Sequence, residues 1–221
     1  MKTFLGAAVF LVLLAFSECH YTANEIATVD RIKEGFGATG LVPSLIPSFE
    51  PQGVLVLRFE DEAVLRHPNQ KIKASALRAR PIVNLFPSRF GELHDNQKFT
   101  LVMFNADYPP QTNSSGGKLH MLGTKISLRR QIQPVEVYVL VNETSFTVEY
   151  RAPDSNELSN PGRYIVLLYK GVPSPSALED FKDPNGDYNN FNLSHITLES
   201  EMSPAPFTGA IFEVENNLEA G

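Results

Sequence analysis

Apolar residues fall in short blocks separated by clusters of Pro, Gly, Asn and Asp, and most of the blocks read as strands. Residues 54–59, 82–85, 99–104, 119–126, 135–141, 145–150, 164–169 and 210–214 are rich in Val, Ile, Leu, Phe and Tyr, and residues 135–141 and 145–150 alternate in part. Residues 164–169 form the most apolar block, which predicts a strand central in its sheet. The spacing changes near the two ends. Thr22-Ala23-Asn24-Glu25 has the form of a capping box, and Ile26, Val29, Ile32 and Phe36 follow at helical intervals until Gly35, Gly37 and Gly40 stop the pattern. Three prolines over residues 41–53 forbid regular structure there. Residues 71–80 predict a basic helical turn with a solvated face, and residues 192–202 a short late helix. No repeat or linker interrupts the series, so one β-rich domain with a helix near each end is expected.

The first residues change the picture of where this domain works. Lys2 followed by an apolar run over residues 4–16 has the form of a secretory leader, since the run is short for a bilayer span. Ala15 and Ser17 place a cut before Glu18, and Ser17 with Cys19 gives a second frame before His20; a retained membrane anchor is the alternative. The expectation is a signal peptide over residues 1–19 and a secreted, extracellular domain over residues 20–221, with no transmembrane anchor after processing. Cys19 is the only cysteine, so the mature chain has no internal disulfide. The net charge of −6 carries no run of like charges, which argues against nucleic acid and anionic membranes as partners. Sequons at Asn113, Asn142 and Asn192 predict N-glycosylation, with Asn113 in an exposed loop.

Candidate chemistry concentrates in TLVMFNADYPPQTNSSGGKLHML, residues 100–122. A strand ending in Asn105 and Asp107 leaves acceptors and backbone donors at a sheet edge, and a neighbouring strand carrying His120 can bring an imidazole to the same rim. Such a histidine suits an anion, whose binding favours the charged ring. The alternative is a core histidine bonded to Asp107. Arg163 precedes a buried-looking strand and predicts a structural ion pair with Asp107 or Asp154. The chain carries no Gly-x-Ser-x-Gly, no His-Glu-x-x-His and no phosphate-binding glycine loop opening a helix. No spacing suggests a metal site. A non-enzymatic protein with no cofactor and no metal is expected.

Three segments, in this order, resemble the phosphatidylethanolamine-binding protein (PEBP) family, which includes Raf-kinase inhibitor proteins, plant flowering regulators and yeast carboxypeptidase inhibitors. FTLVMFNADYPP is similar to the family's strand ending in Asp-Pro-Asp-x-Pro, KLHMLGT to its Trp-x-His strand, and NPGRYIVLLYKG to its Gly-x-His-Arg-Tyr segment with the strand after it. The tail FNLSHITLESEMSPAPFTGAIFEV resembles the closing helix, the Pro-bearing turn and the last strand. The resemblance implies a mainly β fold with short helices near both termini and a large antiparallel sheet packed against a second, smaller one. It also implies a rim pocket for small anions or phospholipid head groups, lined by position by Asn105, Asp107, Tyr108, Pro109, Lys118, His120 and Gly162. Asn105 stands in place of an acid, Gly162 in place of an imidazole and Lys118 in place of a Trp; Gly116-Gly117 falls where family members carry a strained peptide bond.

Three functions are open at this point. The first is a secreted protein binding a small anion or phospholipid head group at the rim. The second is an inhibitor or interaction protein whose partner is a serine carboxypeptidase, with residues 20–50 and the rim as its surfaces. The third is a structural extracellular glycoprotein whose pocket has degenerated.

Overall fold

The computed structural model describes residues 27–60, 63–88, 93, 96–108, 117–131, 137–142, 146–159, 162–183, 186, 188–198 and 202–215. The leader, the capping box over residues 22–25, Pro109, Asn113 and Gly116 lie outside them. Nine strands carry the chain: β1 (Gly53–Arg58), β2 (Val64–Leu65), β3 (Gln70–Lys73), β4 (Ile82–Pro87), β5 (Phe99–Asn105), β6 (Lys118–Gln131), β7 (Val137–Asn142), β8 (Arg163–Lys170) and β9 (Thr208–Glu215). Four short helices accompany them: α1 (Val29–Ala38), α2 (Leu41–Ser44), α3 (Ser155–Ser159) and α4 (Leu193–Leu198). Thr28 caps α1 by accepting from the Arg31 amide, and Ile32 and Phe36 form its buried face. None of the described helices is long and apolar enough to cross a membrane.

All nine strands join one sheet, in the order β2-β1-β4-β7-β6-β5-β8-β9-β3. Every pairing is antiparallel except β3 with β9, so the sheet is mixed. A separate smaller sheet, expected from the resemblance, is not present among the described strands. Its place is taken by the β2-β1-β4 arm, which stays continuous with the rest through only two register pairs, Asn84 with Val139 and Leu85 with Tyr138. So narrow a seam lets the arm fold across the main run. Leu55, Leu57 and Leu85 of the arm share one buried cluster with Leu101, Met103, Val166, Leu168 and Phe212. The Thr208 hydroxyl closes the fold by donating to the Gly53 carbonyl at 2.6 Å. The other face is covered by α1 and the loop after it, through Ile32, Phe36, Ile46 and Phe49.

As expected from its composition, β8 lies between β5 and β9 with Tyr164 to Tyr169 all buried. Three stretches come out differently, the first being Leu41–Ser44, a short helical turn where no regular structure was expected. Of residues 145–150, the described ones, 146–150, contribute one bridge, Leu122 with Val148, rather than a strand. The basic turn over residues 71–80 is β3 followed by a 3-10 turn, Ala74–Arg78.

A buried carboxylate between an imidazole and a lysine

The β5–β6 ladder positions the candidate site. Phe104 pairs with Leu119 and Met103 with Met121, so His120 is an extra residue with no partner on β5. Such a bulge re-aims a side chain, and here it turns the imidazole inward to zero exposure. Its Nδ1 lies 2.7 Å from the Arg151 carbonyl and its Nε2 lies 2.8 Å from Oε1 of Glu157. Both nitrogens face acceptors, which an imidazolium satisfies with two donated bonds. The carboxylate partner of His120 is therefore Glu157, not Asp107.

Glu157 is delivered by α3. Asp154 caps this helix, accepting the Asn156 and Glu157 amides on Oδ1 at 2.9 and 3.0 Å, while its own amide donates back to Glu157 Oε2 at 3.2 Å. The side chain of Glu157 has no solvent exposure. Besides His120, its Oε1 accepts from the Asn105 amide at 3.2 Å and the Tyr164 hydroxyl at 3.4 Å. Its Oε2 is 2.7 Å from Nζ of Lys118. Burial alone would raise the Glu157 pKa, but the bond and charge of His120, joined by Lys118 and the Asp154 amide, outweigh it and hold the group at about 2. Burial works against the charge of Lys118 as well, and its two carboxylate partners, Asp154 and Glu157, reverse that and raise its pKa. Lys118 also sits 5.1 Å from the Tyr108 ring centre. It is an inward-turned cation rather than a solvated one.

The other half of the rim is a second ion pair. Asp107 accepts from the Arg163 backbone amide and Nε, each at 2.8 Å, and from a second guanidinium nitrogen. Burial raises the Asp107 pKa, but these Arg163 contacts prevail and hold it below the usual carboxylate range. Arg163 thus pairs with Asp107, one of the two partners expected of it, and donates to the Thr39 carbonyl as well. Asn105 links the two halves, since its Oδ1 accepts from the Asp107 amide at 3.1 Å while its Nδ2 donates to Glu157.

Gly162 lies against that same amide: a Cβ there would stand 2.6 Å from Asn105 Oδ1. Because Asn105 is held at both ends, Gly162→Ala is expected to cost about 1–3 kcal/mol of stability, read as a lower urea midpoint. An unchanged midpoint would show that the Asn105 amide can move aside. Among the sequons, Asn192 is exposed and accepts the Ser194 amide and hydroxyl on Oδ1. Asn142 ends β7. No three His, Cys, Asp or Glu side chains among the described residues could hold a metal ion.

Glu157 was not among the candidates read from the sequence. The signal for it was local: Asp154-Ser155-Asn156-Glu157, after Pro153, has the spacing of a capping box.

With this geometry in view, the comparisons with solved structures are informative. A carboxypeptidase Y inhibitor solved with its cognate proteinase aligns over 89% of this chain and 100% of its own, at a TM-score of 0.66 and 17% identity. The chain has the PEBP fold. The phosphatidylethanolamine-binding protein of Plasmodium vivax aligns over 87% of this chain and 100% of its own (TM-score 0.57, 13% identity). That of Plasmodium falciparum aligns over 86% and 98% (TM-score 0.56, 16% identity). No protein-family model and no curated protein matches the sequence. At these identities the likeness is one of fold, and PEBP-fold neighbours include both a proteinase inhibitor and lipid-binding proteins.

Proposed function

We propose that this chain is an exported, N-glycosylated, non-enzymatic PEBP-fold protein that acts by binding another protein, with a serine carboxypeptidase as the partner class. One observation carries this reading. The two donors that a free phosphate would need at the rim, the His120 imidazole and the Lys118 ammonium, are both bonded to Glu157. A site whose charges are satisfied internally gains little from a soluble anion, because entry requires first breaking a buried pair. Contact between surfaces is then the economical mode, and the carboxypeptidase Y inhibitor with its proteinase is an instance of it on this fold.

Carboxypeptidase Y hydrolysis of a chromogenic peptide tests the proposal. The chain from residue 20 is expected to inhibit saturably, and a chain starting at residue 27 to lose inhibition while keeping its unfolding curve. Retained inhibition would move the docking surface elsewhere on the domain, and no inhibition of any serine carboxypeptidase would remove the reading.

A second reading rests on the same cluster seen as chemistry. Asn105, Lys118, His120 and Tyr164 do converge on an anion, which happens to be a side chain. A phospholipid head group or other small anion would then compete with Glu157 at a rim that includes Asp107, Tyr108 and Gly162. In a heteronuclear NMR titration with phosphoethanolamine, the protein-binding reading expects no shift of the His120 ring signals at millimolar ligand. A saturable shift would favour the anion reading.

A further inference from the structure

A second hollow shares no lining residue with the His120–Glu157 network. It is open to solvent on one side and holds about 160 Å³, and the apolar residues at its base, Leu101, Met121 and Ile126, are at most 2% exposed. A volume of this order, about 150 Å³, is enough for a benzene-sized guest. The wall is firm. The Phe146 ring occupies the space where a Cβ at Gly123 would stand, 2.6 Å from its Cε1, so the ring is pressed onto β6.

The mouth is chemically distinct from the floor. Ile82, at its edge, is 45% exposed, one of two large hydrophobic side chains so exposed among the described residues. Arg80 is exposed, with its guanidinium carbon 4.5 Å from the Phe146 ring centre. No carboxylate among the described residues forms a salt bridge with it. A guanidinium stacked on an aromatic face has its edge donors free to meet a carboxylate. An uncovered apolar edge, an apolar floor and one cation at the opening are the three requirements of a molecule with a short hydrocarbon end and an anionic head.

We propose that this hollow binds a small amphipathic carboxylic acid, its hydrocarbon end on Leu101, Met121 and Ile126 and its carboxylate on Arg80. The volume limits the apolar end to roughly one phenyl ring or a chain of about six carbons. The site is independent of the protein-binding function proposed above.

Methyl-detected NMR with the Met121 methyl as reporter provides the test, using hexanoate and phenylacetate as probes and hexanol as the neutral counterpart. Hexanoate is expected to shift the Met121 methyl saturably. Arg80→Gln, an exposed substitution that leaves the core intact, is expected to weaken hexanoate about ten-fold and to leave hexanol unchanged. Absence of a saturable shift with either acid, or equal hexanoate affinity in the wild type and Arg80→Gln, would overturn the proposal.

Discussion

Glu157→Ala is expected to lower the unfolding free energy by about 3–5 kcal/mol, the range for removing one partner of a buried ion pair, and the Tm by about 10 °C. The substitution strands an imidazole and a lysine. His120 keeps its bond to the Arg151 carbonyl but loses the acceptor at Nε2, and Lys118, 17% exposed, is left with Asp154 alone. Asn105 and Tyr164 each lose an acceptor in the same place. Urea unfolding followed by circular dichroism measures the loss, and a midpoint close to wild type would mean that the carboxylate is not what holds the site.

The same group sets a pH dependence. Its carboxyl lies at about 2 in the folded chain against an ordinary 4.5. A depressed carboxyl contributes stability above its unfolded value and loses it as pH falls toward the folded one. The wild type is therefore expected to lose about 3 kcal/mol between about pH 5 and pH 2 from this group. Glu157→Gln, which keeps the shape and gives up the charge, lacks that component of the acid slope.

Phe36→Ala is the other large loss, expected at about 3–5 kcal/mol for a truncated core aromatic. Phe36 has zero exposure and its ring centre lies 4.3 Å from that of Phe49. Its Cζ sits 2.8 Å from where a Cβ at Gly209 would be, so the ring rests directly on β9 in the space that this glycine leaves open. Leu198→Ala, at a position 81% exposed, is the matched control and is expected within about 0.5 kcal/mol of wild type. Thermal unfolding of both variants distinguishes a helix that belongs to the core from one merely laid on it. Equal, small effects would contradict the packing of α1. The result also bears on the inhibition assay, because a chain starting at residue 27 keeps Ile32 and Phe36 and with them this part of the core.

How far the sequence revealed this molecule depended on whether a feature was local. β5 and β8 announced themselves because each is buried on both faces, so most of their positions are apolar, and β9 showed through its shorter run Ala210–Phe212. Residues 145–150 also alternate, but that alternation reflects separate tasks. Phe146 packs on Gly123, Val148 makes one bridge and Tyr150 donates to the Leu77 carbonyl. Periodicity cannot tell such a segment from a ladder strand. The single continuous sheet was equally hidden, since its continuity rests on two pairs between β4 and β7.

At the site, Asn105, His120 and an Arg163 ion pair with Asp107 or Asp154 were read from the strands that carry them, while Lys118 came only from the family resemblance. Glu157 was not, because a glutamate in a short polar run resembles a solvated turn until the fold brings it to a histidine 37 positions away. The capping box of α3 is a local signal for a helix that the sequence reading did not include, and it says nothing of the burial of the third residue.

The most direct test is the titration of the Glu157 side-chain carboxyl carbon by NMR between pH 7 and pH 2 in the folded protein. A carboxylate locked between His120 and Lys118 should remain ionised until the pH approaches 2, with its midpoint there or masked by acid unfolding. A midpoint between about 4 and 5 while the protein is still folded would show a free glutamate and an open pocket.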